Sequence, residues 1–202
     1  MSNRESTEII LASSNQGKLV ELRRLLPDNF TVRTAGEARV EMPEETGTTF
    51  AENATLKALA GWRQTGTITL ADDSGLEVDA LGGAPGVRSA RFAGEPSDDG
   101  ANNRLLLERL RNVPEKQRTG RFRSAVAIAL RDGTVHVSEG TLDGTVLTAP
   151  RGSNGFGYDP LFQPVGMNRT LAELSLPEKN EISHRARALR AALDWLMDHL
   201  TT

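Results

Sequence analysis

The chain contains no cysteine among its 202 residues. Disulfides, thiolate catalysis and zinc–thiolate sites are therefore excluded, and the composition suits a reducing compartment. Apolar runs of membrane-spanning length are also missing, and residues 1–8 form a polar arm without the apolar centre of a signal peptide. These absences predict a soluble cytoplasmic protein that has no membrane partner.

An excess of positive charge is absent as well. The formal net charge is −3, so a protein that binds nucleic acid by broad neutralisation of phosphates is not expected. The hydrophobic share of 38% is sufficient for a sizeable core. We expect one domain over residues 1–202, with two lobes around a cleft.

The most informative stretch spans residues 67–94. Its alternating start at 67–71 predicts a strand that ends at Asp72 and Asp73, which Ser74 and a glycine follow. Neighbouring side chains on a strand point to opposite faces, so only one of the two carboxylates faces any given cleft. Carboxylates at the end of a strand are typical of ligand sites in open α/β sheets. The alternative to a ligand site is a surface turn in which Asp72 and Asp73 are solvated.

A possible anion site precedes this stretch. Residues 9–12 predict a short buried strand, and the polar turn 13–18 leads into a helix that ends at Pro27. Free N–H groups at a helix N-terminus favour phosphate, and Lys18 would add a positive charge. The turn is not a Walker A loop, because Leu19 replaces the magnesium-binding Ser or Thr. An ordinary capped helix with a solvated lysine is the alternative.

A capping box formed by Thr49 and Glu52 predicts the start of a second helix, over residues 50–62. Asn53 and Lys57 stand one turn apart on this helix. They therefore share a face and could point together into a cleft.

Elements typical of packing follow the central stretch. Ser97 or Asp98 can cap a leucine-bearing helix. A long alternating strand over 121–130 then turns at 132–133 into residues 134–138, which predicts an antiparallel hairpin and hence a mixed sheet.

The glycine-rich segment 151–160 carries Phe156 between two glycines. An aromatic ring in that setting can lie against a planar base, and the Asp159 carboxylate can accept from ring N–H groups. A hydrophobic loop pinned into the core is the alternative.

The last helix is expected to begin after Ser183, a suitable N-cap. His184 and Arg185 then occupy its first turn, where cations oppose the helix dipole. This placement predicts that something anionic, or rich in hydrogen-bond acceptors, visits the site.

Taken in order, these segments closely resemble the inosine triphosphate pyrophosphatase family, whose members act on non-canonical purine nucleoside triphosphates. The resemblance covers nearly the whole chain and is strong because six motifs occur in register. The motifs are Ser13-Ser14-Asn15-Gln16-Gly17-Lys18 with Glu21, Glu45-Thr46-Gly47 with Phe50, Asn53-Ala54 and Lys57, Ala71-Asp72-Asp73-Ser74-Gly75, Pro85-Gly86-Val87-Arg88-Ser89-Ala90-Arg91 with Gly94, Gly155-Phe156-Gly157-Tyr158-Asp159-Pro160, and Ser183-His184-Arg185.

The resemblance implies an α/β fold with a long curved mixed sheet flanked by helices, in two lobes around a central active-site cleft. It also implies a homodimer that cleaves ITP, dITP and XTP to the monophosphate and pyrophosphate, with Mg2+ as cofactor. Glu45 and Asp73 would hold the metal, and Asp73 would also accept a proton, while Asp72 would either serve the structure or support the metal ligands from behind. The implied substrate-binding residues are Ser13, Ser14, Asn15, Gln16, Gly17, Lys18, Lys57, Ser74, Phe156, Gly157, Tyr158, Asp159, Lys179, His184 and Arg185.

The base can be selected by its pattern of donors and acceptors. Hypoxanthine and xanthine present an acceptor at position 6, which Lys179, His184 or Arg185 can satisfy, whereas adenine presents a donor there. Two other readings stay open. One is a related enzyme that acts on pyrimidine or modified nucleotides, and the other is a nucleotide-binding module without catalysis.

Overall fold

A computed structural model describes residues 6–13 and 16–200, apart from the side chains of Gln16 and Glu21. The described residues form one open six-stranded sheet in the order β2-β1-β3-β4-β5-β6. Its strands are β1 (Thr7–Leu11), β2 (Phe30–Thr34), β3 (Ile68–Val78), β4 (Thr119–Ala129), β5 (Val135–Val146) and β6 (Phe162–Pro164). The α-helices are α1 (Gln16–Leu25), α2 (Phe50–Thr65), α3 (Asp99–Leu110), α4 (Leu176–Ile182) and α5 (His184–Leu200).

The sheet is mixed, as the sequence predicts. Strand β1 runs parallel to both β2 and β3, whereas β5 runs antiparallel to β6. Strands β4 and β5 are neighbours joined only by residues 130–134. They are antiparallel, because a parallel pair needs a crossover of a dozen or more residues. The predicted α/β class and the predicted hairpin are both confirmed.

Strand β3 corrects one expectation. It does not end at Asp72 and Asp73 but continues to Val78, so both carboxylates and Ser74 lie within the strand. The apolar pattern resumes beyond them, since Leu76 and Val78 are completely buried. Charged residues are tolerated at mid-strand here because each aspartate has a lysine partner on a helix.

Helix α2 begins as predicted. Thr49 Oγ1 accepts from Glu52 N, and the Glu52 side chain accepts in return from Thr49 N. The helix extends to Thr65, three residues beyond the predicted end, and stops at Gly66. Gly66 has a positive φ of 65°, a conformation that glycine adopts without steric cost.

The chain divides into two compact units. The first comprises Met1–Asp73, Ala125–Glu139 and Ala188–Thr202, and the second comprises Ser74–Ser124 and Gly140–Arg187. The core of the first unit includes Ile9, Leu11, Leu22, Ile68 and Leu193. The core of the second includes Leu76, Leu106, Tyr158, Leu161 and Phe162. Each unit therefore has its own buried apolar cluster.

No helix in the described ranges is both long and apolar enough to cross a membrane.

Candidate active site

Two carboxylates of the first unit share one lysine. The Lys57 ammonium lies 2.6 Å from Glu45 Oε1 and 3.6 Å from Asp73 Oδ1, and the lysine is only 8% exposed. Lys57 comes from helix α2, Asp73 from strand β3, and Glu45 from the acidic segment before the helix. The structure therefore brings together Glu45, Lys57 and Asp73, three of the residues that the sequence predicts for the site.

Asn53 completes this group, and its sequence position predicts only that it shares a helix face with Lys57. Its Nδ2 donates to Asp73 Oδ2 at 3.1 Å, and its Oδ1 accepts from Gly47 N at 2.7 Å. A Cβ at Gly47 would lie 2.6 Å from the same Oδ1, so only glycine fits this approach. Asn53 thus ties Asp73 to the segment that carries Glu45. In the sequence, the feature that indicates a site role for Asn53 is its position one helical turn before Lys57.

Burial raises the pKa of the Asp73 carboxyl above its ordinary value of 3.8. The charge of Lys57 and the hydrogen bond from Asn53 lower it in part, while the nearby charges of Glu45 and Asp72 raise it further. A carboxylate whose pKa is raised is a stronger base, and so a better proton acceptor, than a solvated carboxylate. Asp73 is therefore suited to work as a general base.

Asp72 has a different partner from its neighbour. Its Oδ1 pairs with Lys18 Nζ of helix α1 at 2.6 Å, and Asp72 is 5% exposed. The separate partners follow from the alternation of side chains along β3. Asp72 therefore orients Lys18, and its role in the site stays a prediction.

Part of the predicted anion site lies outside the described residues. This holds for Ser14 and Asn15, and for the side chain of Gln16, whereas Ser13, Gly17 and Lys18 lie within them. Phosphate binding at this turn stays a prediction.

The carboxylates fit the cofactor that the resemblance implies. Within the described part of the chain, no group of three or more His, Cys, Asp or Glu side chains is arranged to hold a metal. Glu45 and Asp73 nevertheless approach a common cation, the Lys57 ammonium. Mg2+ characteristically uses one or two protein carboxylates and completes its shell with water and substrate phosphates. This pair of oxygen donors meets that requirement.

In the second unit, Phe156 presents an aromatic ring to solvent. Phe156 is 56% exposed, with Lys179 Nζ 4.6 Å and Arg185 Cζ 5.5 Å from the ring centroid. Both cations are within the range of cation–π attraction. The alternative of a loop pinned into the core does not describe this residue.

Tyr158, two residues further along the loop, packs into the core instead. It is 4% exposed, and its hydroxyl donates to Ser89 O at 2.8 Å. Burial raises the pKa of this hydroxyl. The structure thus places the Tyr158 ring in the core rather than on an exposed surface.

Asp159 is buried and holds the loop. Its Oδ2 accepts from Phe156 N at 2.9 Å and also pairs with Lys179 Nζ. A Cβ at Gly155 would collide with this carboxylate, which explains the glycine there. Lys179 therefore contacts both the Phe156 ring and the carboxylate beneath the loop.

The predicted cap of the last helix is confirmed. Ser183 Oγ accepts from Ala186 N at 3.1 Å, so His184 and Arg185 occupy the first turn of α5. Arg185 Nη2 donates to Ser74 Oγ at 3.3 Å. The His184 ring is largely buried and stacks on Phe122, with centroids 4.9 Å apart and planes 8° apart.

The remaining two histidines pack against Trp195 of helix α5. His199 is exposed, but His136 is partly buried and stacks on Trp195, with centroids 4.2 Å apart. Trp195 stacks in turn on His199, at 4.0 Å. Packing of two rings against one indole explains the lower exposure of His136.

Comparison with known proteins shows the family of this chain. The model of the Ham1 family matches residues 9–195. The dITP/XTP pyrophosphatase of Desulforamulus reducens is 52% identical over 191 residues, which cover 94% of this chain and 95% of that protein. The enzyme of the same name from Streptomyces avermitilis is 54% identical over 188 residues, covering 91% and 94%.

Solved structures give the same result. A HAM1 protein from Coxiella burnetii has a TM-score of 0.90 at 41% identity, over 95% of this chain and 99% of that one. The Ham1 protein of Staphylococcus aureus has a TM-score of 0.89 at 39% identity, over 96% and 100%. The chain therefore belongs to the Ham1 family.

Proposed function

We propose that this protein is a pyrophosphatase that hydrolyses dITP, ITP and XTP to the nucleoside monophosphate and pyrophosphate, and so removes deaminated purines from nucleotide pools. The observation that carries the proposal is the partly buried Asp73 carboxylate, with a raised pKa, which shares the Lys57 ammonium with Glu45. The names of the two bacterial relatives, both dITP/XTP pyrophosphatases, support the same substrates.

In the proposed reaction, a water molecule attacks the α-phosphorus and Asp73 accepts its proton. The new bond joins the water oxygen to phosphorus, and the bond from phosphorus to the α–β bridging oxygen breaks. Pyrophosphate then leaves with the electron pair. Asn53 holds the Asp73 carboxylate in one orientation through the 3.1 Å hydrogen bond. This fixed geometry favours reaction because the base needs no rearrangement.

Cationic side chains of the first unit balance the charge of the triphosphate. Lys57 lies between Glu45 and Asp73, and Lys18 is oriented by Asp72. Glu45 and Asp73 would hold Mg2+, which when bound neutralises phosphate charge and polarises the phosphoryl group. The lysines stabilise the negative charge that develops on the leaving group.

Phe156, Lys179 and Arg185 would supply the contacts for the base. The exposed Phe156 ring is a stacking surface for a purine, and Lys179 and Arg185 bring hydrogen-bond donors to its vicinity. Hypoxanthine and xanthine carry an oxygen at position 6 that accepts from such donors. Adenine carries an amino group there and would leave the donors unpaired, which disfavours ATP.

The test is release of pyrophosphate from dITP, ITP, XTP, GTP, ATP and dTTP, with Mg2+ and with a chelator. We expect Mg2+-dependent release from the first three, with the monophosphate as co-product and little release from ATP. Glu45→Gln should lose activity, whereas Glu44→Gln, its exposed neighbour, is the matched control. Release from dTTP would favour a pyrimidine enzyme, and binding without release would favour a sensor.

We also propose that the active form is a homodimer, as the resemblance to the pyrophosphatase family implies. Light scattering coupled to gel filtration tests this proposal directly. A molar mass of one chain at micromolar concentration would contradict it.

A further inference from the structure

Two side chains of helix α3 bind both backbone polar atoms of Gly157. Gly157 N donates to Asp99 Oδ2 at 2.6 Å, and Gly157 O accepts from Asn103 Nδ2 at 2.8 Å. Residues four apart on a helix share a face, so the two side chains reach the same glycine. We call this pair, Asp99 and Asn103, the α3 clamp.

The helix itself does not require the clamp. Its N-cap is Asp98, whose Oδ1 accepts from Ala101 N at 2.9 Å, so Asp99 is not needed for capping. Asn103 Oδ1 is buried without a hydrogen-bond partner among the described residues. Burying an unsatisfied acceptor costs stability. The bond from Asn103 to Gly157, rather than packing, therefore accounts for an amide at this position.

The clamp acts next to the exposed aromatic ring. Phe156 N donates to Asp159 Oδ2 and Gly157 N donates to Asp99 Oδ2, so the peptide groups on both sides of Phe156 are tied to carboxylates. The ring between them stays 56% exposed. A fixed backbone beneath an exposed ring is a preorganised stacking surface, which reduces the entropy lost when a ligand binds.

We propose that Asp99 and Asn103 are positioning residues for recognition of the purine base, acting through the Phe156 loop. This inference rests on the proposed pyrophosphatase function and extends it to a helix whose sequence indicates packing alone. The ligand class is a planar purine that stacks on Phe156. The clamp contributes to substrate affinity, and the chemical step depends on other residues, Asp73 and Glu45.

The variants Asp99→Ala, Asp99→Asn and Asn103→Ala of the full chain test the inference, with dITP and Mg2+. We expect Asp99→Ala and Asn103→Ala to raise KM about fivefold, a moderate effect for the loss of one hydrogen bond, with kcat within about twofold of wild type. Asp99→Asn keeps an acceptor oxygen and should restore the wild-type KM. Glu108→Ala, an exposed change on the same helix, is the matched control.

A double-mutant cycle separates positioning from general destabilisation. In a Phe156→Ala background, Asp99→Ala should raise KM no further, because the clamp acts through the missing ring. Equal effects of Asp99→Ala in both backgrounds would overturn the inference, as would an unchanged KM in the wild-type background.

Hydrogen exchange of the Gly157 amide, measured without nucleotide, reports on the clamp independently of activity. The exchange should be faster in Asp99→Ala than in wild type and in Asp99→Asn. Faster exchange with an unchanged KM would overturn the inference. A wild-type protein that hydrolyses neither dITP nor XTP would instead defeat the pyrophosphatase proposal, whatever the exchange shows.

Discussion

Asn53 Nδ2 donates to Asp73 Oδ2 at 3.1 Å, and this hydrogen bond links the first turn of helix α2 to the middle of strand β3. The other end of the same amide accepts from Gly47 N. Asn53 is 1% exposed, so neither bond can be replaced by bulk water. One buried amide therefore positions the proposed base and the segment that bears the second carboxylate.

Replacing Asn53 by leucine, which has a similar volume and no hydrogen-bonding group, should damage both activity and stability. We expect kcat to fall roughly tenfold to a hundredfold, because the carboxylates lose their fixed geometry. The unpaired Gly47 N–H should cost about 2 kcal/mol of unfolding free energy. Steady-state kinetics and urea denaturation measure the two effects.

Asn53→Asp separates the two ends of the amide. Its carboxylate can still accept from Gly47 N but lies against Asp73, so kcat should fall at neutral pH, and the loss of stability should be smaller at acidic pH, where one of the two carboxyl groups is protonated. A normal kcat in Asn53→Leu would show that Asn53 does not position the base.

The raised pKa of Asp73 predicts that this residue makes stability depend on pH. Between the ordinary and the raised pKa, the native state binds more protons than the unfolded state, so stability decreases as pH rises through this window. Asp73→Asn removes the charge and should give a higher Tm than wild type at pH 8. The difference should shrink as pH falls to about 4, near the ordinary pKa of a carboxyl.

Thermal unfolding from pH 4 to pH 8, with a chelator present, checks this expectation. The same variant should lack turnover while it still binds nucleotide. A lower Tm than wild type at pH 8 would show that the attraction of Asp73 to Lys57 outweighs its burial.

The local parts of the fold could be predicted from the sequence. The capping box at Thr49 and the cap at Ser183 depend on residues within three positions, so both were identified correctly. The length of β3 could not be predicted in this way, because two adjacent aspartates are typical of a strand end. Their lysine partners come from helices that are distant in sequence, and this tertiary pairing overrides the local signal.

In the candidate site, too, local sequence does not predict contacts between distant residues. Phe156 and Tyr158 belong to one glycine-rich loop, and local sequence does not distinguish an exposed ring from a buried one. Ser89, far away in the sequence, accepts from the Tyr158 hydroxyl and decides which ring is buried. The contact of Asp99 with Gly157 also joins residues that are distant in sequence, so the sequence of α3 does not predict it.

The two rings should respond oppositely to substitution. Phe156→Leu should leave Tm unchanged, because the ring is mostly exposed, and should raise KM for dITP about tenfold, because stacking on a base is lost. Tyr158→Phe removes the hydrogen bond to Ser89 and should cost about 1 kcal/mol of stability, with KM unchanged. An unchanged KM in Phe156→Leu would remove this ring from base recognition.

Lys179 has two contacts whose effects can be separated. Its side chain is 13% exposed and pairs with Asp159, which is 5% exposed, while its ammonium also lies over Phe156. Lys179→Met leaves a buried carboxylate without its partner and should cost about 3 kcal/mol of unfolding free energy. Adding Asp159→Asn removes that charge and should restore most of the lost stability.

If Lys179 also donates to the base, the double variant should recover stability without recovering affinity. We therefore expect Lys179→Met/Asp159→Asn to unfold near the wild-type Tm while its KM for dITP and XTP stays raised, because the donor for the oxygen at position 6 is still missing. Asp159→Asn alone is the control, since it keeps the lysine. A double variant with the wild-type KM would show that Lys179 serves only as the counter-ion of Asp159, and base selection would then depend on Arg185.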